Sequence, residues 1–247
     1  MLDARDIESI ERATLAAVSP AEIEPFAGWL LAFDAGSIGR ARSAVPLSHV
    51  GIDASCVEPI AARYRARGLA PRFRIADAAG LEPVREELGR LGYRRAQPTL
   101  VQTAASAAMR AVSGAAPAVL ANRPDAGWQA VFLGEGFDPV DGAHRVQALG
   151  RAPDALYASV REGGETLAVG MAAFGHGWAS VHGMRTARAR RGEGLAARVL
   201  AGLALAALER GLARLFLQVE EDNAAARSLY LRAGFTPAWC YAYWAQD

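Results

Sequence analysis

Two segments of this 247-residue chain place anion-binding or proton-transferring groups at spacings that suit chemistry. Arg191-Gly192-Glu193-Gly194-Leu195-Ala196 fits Q/R-x-x-G-x-G/A. In that pattern consecutive backbone N–H groups at a helix N-terminus converge on phosphate oxygens, and glycine lets the ligand approach the main chain. Residues 65–70 and 147–152 also satisfy it, but at the C-terminal ends of predicted helices, where carbonyls point outward and cannot cradle an anion. Only 191–196 follows a predicted strand and opens a predicted helix, behind Arg185, Arg188 and Arg190 and with no acidic residue before Glu193. The second segment is Asn223-Ala-Ala-Ala-Arg-Ser-Leu-Tyr230-Leu-Arg-Ala-Gly234-Phe235. Asn223 suits a helix N-cap. Tyr230, with an ordinary pKa of about 10, stays protonated at neutral pH and can donate a proton, although a core aromatic beside Leu229 fits the same spacing. His182, with an ordinary pKa of about 6.5, is the first candidate proton acceptor or else a packed histidine, and Glu220 is the second candidate. Cys56 and Cys240 are far apart and, like His49, His144 and His176, show no ligand spacing, so neither a metal site nor a disulfide framework is expected.

These groups need elements to hold them. Ile7, Ile10, Thr14, Leu15 and Val18 recur at helical spacing up to Ser19-Pro20, which predicts an opening amphipathic helix. Residues 29–33 and 40–45 read as a hairpin about the turn 36–39, 58–67 as a helix stopped by Gly68, 72–75 as a strand, 81–91 as a helix closed by Gly92, and 99–103 as a strand. The stretch 104–117 consists mostly of small residues without periodicity, so the domain boundary is placed at 106–117, between a domain over 1–105 and one over 118–247. In the second half helices are expected near 125–133 and 141–149, then strands over 156–162, 166–175 and 178–186 joined by glycine turns. An almost wholly apolar helix over 195–210, a buried strand over 215–219, a short helix over 224–233 and an aromatic strand over 239–244 complete the chain. Strand alternation puts Ser180, His182, Met184 and Thr186 on one face. The order of elements predicts a mixed α/β (α+β) sheet, and both halves end on the same helix-Gly-aromatic echo, Leu91-Gly92-Tyr93 and Ala233-Gly234-Phe235.

The two motifs, in this order and at this spacing, resemble the GNAT superfamily of N-acetyltransferases, whose second motif reads N-x-x-A-x-x-L-Y-x-x-x-G-F. The resemblance covers 118–247. It implies a mixed, largely antiparallel sheet flanked by helices, and an enzyme that moves an acetyl group from acetyl-coenzyme A to a primary amine by direct attack. It also implies that the pantetheine arm lies between two splayed parallel strands, 180–186 and 215–219, and pairs with the backbone of Met184 and Thr186. Arg191, Gly192, Glu193, Gly194, Leu195 and Ala196 would hold the pyrophosphate, Asn223 would contact the coenzyme, and Tyr230 would be the general acid that protonates the leaving thiolate. Gly183 would mark a bulge that opens the gap. The family usually has valine where Thr186 stands and often proline where Arg188 stands. It leaves the base open between His182 and Glu220. Residues 1–105 would be a degenerate copy of the same fold or a substrate-cleft domain, in which Arg40 and Arg42 either line a cleft that favours an acidic group or sit on a solvated hairpin.

A formal charge of +1 with 21% charged residues supplies no field for nucleic acid or an anionic membrane. No uncharged apolar run reaches the roughly 18 residues of a membrane span, and the charged first twenty residues are wrong for a signal peptide, so a cytoplasmic setting is expected. All 27 basic residues are arginine, which rules out lysine autoacetylation. The implied partner is an amine-bearing acceptor, either a small molecule or a protein N-terminus, and the pattern is compatible with a homodimer. Two rival readings stand beside the acetyltransferase. One is a catalytically silent acyl-coenzyme A sensor or scaffold. The other is a dinucleotide-binding oxidoreductase, because Gly192 to Ala197 also fits G-x-G-x-x-G/A with Glu220 at the distance of a ribose-binding acid. The polar run 187–191 before the glycine and the short tail after Glu220 weigh against it.

Overall fold

The first helix is fixed by its own ends. In a computed structural model of the chain, which describes residues 2–246, the Asp3 side chain accepts from the Asp6 N–H and Asp6 accepts in return from the Asp3 N–H, capping α1 (Ala4–Val18). Three strands follow, β1 (Glu22–Phe26), β2 (Trp29–Phe33) and β3 (Ala44–Pro46), then α2 (Val57–Ala66), β4 (Arg72–Ala76), α3 (Glu82–Arg90) and β5 (Arg94–Ala105). The pairing expected between 29–33 and 40–45 is present, with β2 antiparallel to β3 at Trp29–Pro46, Leu30–Val45 and Leu31–Ala44, but the second strand begins only at Ala44. The tight turn joins β1 to β2 at Ala27-Gly28, and Gly39–Arg42 is a turn of 3₁₀ helix because Ile38 and Ala41 both turn into a core with Leu30, Ala32 and Val45. β1 escaped sequence reading because it is an edge strand with Glu22, Ile23 and Pro25 exposed and Glu24 and Phe26 only partly buried, a pattern that also describes a loop.

The aperiodic stretch of small residues holds a short helix, α4 (Ser106–Arg110), before β6 (Val119–Ala121). After it come α5 (Ala126–Ala130), α6 (Pro139–Leu149), β7 (Ala155–Glu162), β8 (Glu165–Gly175), β9 (Trp178–Thr186), α7 (Leu195–Glu209), β10 (Arg214–Glu220), α8 (Ala224–Arg232) and β11 (Thr236–Ala245), close to the sequence expectation.

All eleven strands join one sheet in the order β1-β2-β3-β4-β11-β5-β10-β9-β8-β7-β6. The pairing is antiparallel except at β3/β4 and β9/β10. The last strands of the two halves are interleaved: β5 lies between β10 and β11, and β11 lies between β4 and β5. The segment 106–117 therefore does not divide the sheet. One face carries α1, α5 and α6, with Trp128 and Phe132 packed on Val169 and Met171. The other carries α7, whose Val199, Leu200 and Leu203 pack with Ala168, Leu215 and Leu217, and α8 through Tyr230. This largely antiparallel sheet is not a doubly wound parallel one, so the dinucleotide-binding alternative falls.

Candidate active site

The parallel strands β9 and β10 pair only at Ala179–Leu215, Ser180–Phe216 and Val181–Leu217. Beyond that point both continue, to Thr186 and to Glu220, without pairing to each other. The result is a fork between two strands whose facing backbone groups lack a neighbour. Gly183 (φ +61°) helps to open it: the register of β9 against β8 slips between Met171–His182 and Val169–Arg185, a bulge at 183–184. A Cβ on Gly183 would also meet Leu149 and Phe132 at 2.8 and 3.2 Å. The bulge corrects one expectation. Alternation across it fails, so Ser180 and His182 face α1 while the Met184 sulfur packs beside Gly170 and Val199 under α7.

At the open end of the fork the chain turns through 187–194 into α7. Gly192 and Gly194 are left-handed (φ +85° and +78°), and a Cβ on either would meet nothing within 4 Å, so the space in front of the loop is free. Gly194 is the helix N-cap without a side-chain cap. Among the described residues no protein acceptor takes the N–H groups of 192–196, and these donors point out of the positive end of α7. Glu193 would oppose an anion there, but Arg190 binds its carboxylate through Nε at 2.9 Å and holds it below the usual carboxylate range. Arg190 also reaches Glu162, which Arg198 shares. Arg191 takes no carboxylate among the described ion pairs, and its guanidinium stands 5.6 Å from the Phe137 ring. The other two copies of the loop pattern follow the ends of α2 and α6, as expected of helix C-termini.

A loop of unbonded amides thus lies beside a fork of parallel strands, and the comparisons decide the family. The family described as "Probable histone acetyltransferase Rv0428c C-terminal" matches residues 4–244. The chain belongs to this family. Its fold is shared with a GCN5-related N-acetyltransferase from Kribbella flavida (16% identity, 98% of this chain and 95% of that one, TM-score 0.71). It is shared also with a tandem GNAT protein from the clavulanic acid biosynthesis pathway (14% identity, 98% and 96% coverage, TM-score 0.59). A GNAT-family structure from Novosphingobium aromaticivorans aligns over 97% of this chain and 99% of its own at 17% identity and TM-score 0.57. No curated protein matches the chain. The protein is thus an acyltransferase of GNAT fold, and the match extends across its N-terminal half.

Tyr230 on α8 is buried against Phe235, its hydroxyl makes no hydrogen bond to the described protein, and burial pushes its pKa up to about 12. The Asn223 side chain accepts from the Ala226 N–H at 3.1 Å, which is the N-cap alternative realised. His182 is 3% exposed, with Nδ1 3.4 Å from Arg40 Nη1 and Nε2 buried without a partner. Burial first and then Arg40 hold it well below the usual histidine range. Glu220, at the end of β10, is exposed. Sequence reasoning missed Gln218, whose Oε1 accepts from Tyr241 at 2.9 Å and whose Nε2 donates to Thr14 at 2.9 Å, tying α1 to the fork. It missed Asp141 as well, which accepts from Ser37 at 2.7 Å and from Arg145 at 2.6 Å and joins the 34–38 loop to α6. Neither residue belongs to a motif, and only the packing of remote elements brings their partners to them.

Proposed function

We propose that the protein transfers the acetyl group of acetyl-coenzyme A to a primary amine. The observation that supports this most is the fork: β9 and β10 part after Val181 and Leu217, beside a glycine loop whose amides are free. In this reading the pantetheine arm enters the fork and pairs with the backbone of Met184 and Thr186. The pyrophosphate is met by the N–H groups of Gly192, Glu193, Gly194, Leu195 and Ala196 with Arg191 alongside. Asn223 organises the start of α8 near the coenzyme. The amine attacks the thioester carbon, the tetrahedral intermediate collapses, and the Tyr230 phenol donates its proton to the departing sulfur. Its raised pKa keeps it a donor at any working pH. The amine's own proton leaves through Glu220, which is open to solvent and water, or through His182. A histone acceptor, as the name of the matched family suggests, would offer a lysine amine.

The silent acyl-coenzyme A binder is the second reading, favoured by one observation: the His182 lone pair at Nδ1 is turned to Arg40 rather than to open space. Calorimetric titration separates the cases. Acetyl-coenzyme A is expected to bind, a nicotinamide dinucleotide is not, and Gly194→Val is expected to abolish binding, because a branched side chain is strained at φ +78° and fills the space before the amides. Normal binding by that variant would remove the loop from the site. Tight binding with no thiol release toward any amine would favour the silent reading.

A further inference from the structure

Residues 1–105 send one cation to the fork. Arg40, on the 3₁₀ turn Gly39–Arg42, places Nη1 3.4 Å from His182 Nδ1 and 3.4 Å from Gln218 Oε1. His182 and Gln218 are the first residues of β9 and β10 beyond their last paired position, Val181–Leu217. Arg40 therefore stands astride the strands where they part, on the face opposite α7.

Among the described residues no carboxylate neutralises its charge. Glu11 is engaged by buried Arg74 at 2.5 Å, and Asp141 by Ser37, Arg145 and Arg185. None of the ion pairs among the described residues includes Arg40. Its neighbours are an imidazole kept neutral, a side-chain amide already held by Tyr241 and Thr14, and the Tyr241 phenol, which burial and then Tyr243 hold well above its usual range. A partly buried guanidinium has five N–H donors in a planar fork that matches a carboxylate, and most of them are unused here. A cation so placed favours an anion and repels a second cation.

We infer that the acceptor is a small amino acid whose carboxylate is bound by Arg40, close to the amine that receives the acyl group. This rests on the acyl transfer proposed above. It separates the protein from enzymes that take a lysine side chain in a basic segment, because that segment would bring further positive charge to Arg40.

The test pairs each of the twenty amino acids with its carboxamide, which keeps the amine and removes the negative charge, and adds a lysine-bearing basic peptide. Thiol release from acetyl-coenzyme A is followed for the protein and for Arg40→Gln and Arg40→Lys. The best amino acid is expected to exceed its carboxamide roughly ten- to hundredfold in kcat/KM, the range of one charge-assisted hydrogen-bonded contact. Arg40→Gln is expected to bring that ratio close to one by raising KM for the acid, and Arg40→Lys to restore part of it. An equal or better carboxamide, a preference that survives in Arg40→Gln, or release only with the peptide overturns the inference while leaving acyl transfer intact. Calorimetry with acetyl-coenzyme A alone identifies the other failure: without binding, the transfer reading falls and this one with it. Binding without release for any amine of the panel overturns the amino-acid class.

Discussion

Tyr230 shows how position changes what a side chain can do. In water a phenol ionises near pH 10, but in the pocket under α8 desolvation moves that point to about 12. Raising the pKa disfavours the phenolate, so the group holds its proton through the whole accessible range, as a donor to a departing thiolate must. Tyr230→Phe keeps the ring against Phe235 and removes the proton, and we expect turnover to fall by about 10²–10⁴ with coenzyme affinity little changed. Initial rates and calorimetry on one preparation check this, and an unaltered rate would take Tyr230 out of the mechanism. The wild-type rate should also show no alkaline fall attributable to this phenol below about pH 10, since its ionised form is a small minority there.

At the scale of elements, α1 is the strut between the two halves. Its Glu11 carboxylate pairs with Arg74 on β4, and its Thr14 and Ser9 hydroxyls accept from Gln218 Nε2 on β10 and from the Trp178 indole on β9. Glu11 and Arg74 are both almost wholly buried, so the pair is worth little as a net gain over apolar residues but costs much to break. Glu11→Ala leaves an uncompensated guanidinium inside the protein. We expect about 3–5 kcal/mol of stability to be lost by chemical denaturation, and part of it to return in Glu11→Ala with Arg74→Met. A loss below about 1 kcal/mol would mean that water reaches Arg74. The same strut explains why Arg40 and His182, far apart in the chain, meet: α1 and the 3₁₀ turn share the core of Leu15, Val18, Ile38 and Ala41.

For the whole molecule, half-buried His49 and buried His182 tie stability to pH. Burial, and after it Arg74, lowers His49 to about 4; burial, and after it Arg40, lowers His182 well below its ordinary value. Unfolded, both take up a proton at about 6.5, while in the folded state they stay neutral to much lower pH. The unfolded state thus binds more protons in that interval, so stability is full above about pH 6.5 and falls as the pH drops toward about 4. Urea midpoints measured across this range should decline, and less steeply in His49→Gln. A flat profile would show that the histidines are hydrated in solution. Because β5 and β11 are interleaved, sheet hydrogen bonds carry such a local loss to both halves.

The sequence by itself determined the elements of the second half, the glycine loop before α7 and the cap at Asn223, because these depend on short-range rules: glycine at left-handed positions, apolar periodicity, amides at a helix start. It also determined the family, since two motifs at fixed spacing are local text. Tertiary structure alone decided the rest. The resemblance marks Gly183 as a bulge, but pairing with β8 is needed to show that the extra residue inverts the period of two and reverses the face of Met184. The interleaving of β5 with β11 depends on contacts between strands more than a hundred residues apart. The meeting of Arg40, His182 and Gln218 at the fork rests on the same long-range packing, for which no local spacing carries a signal.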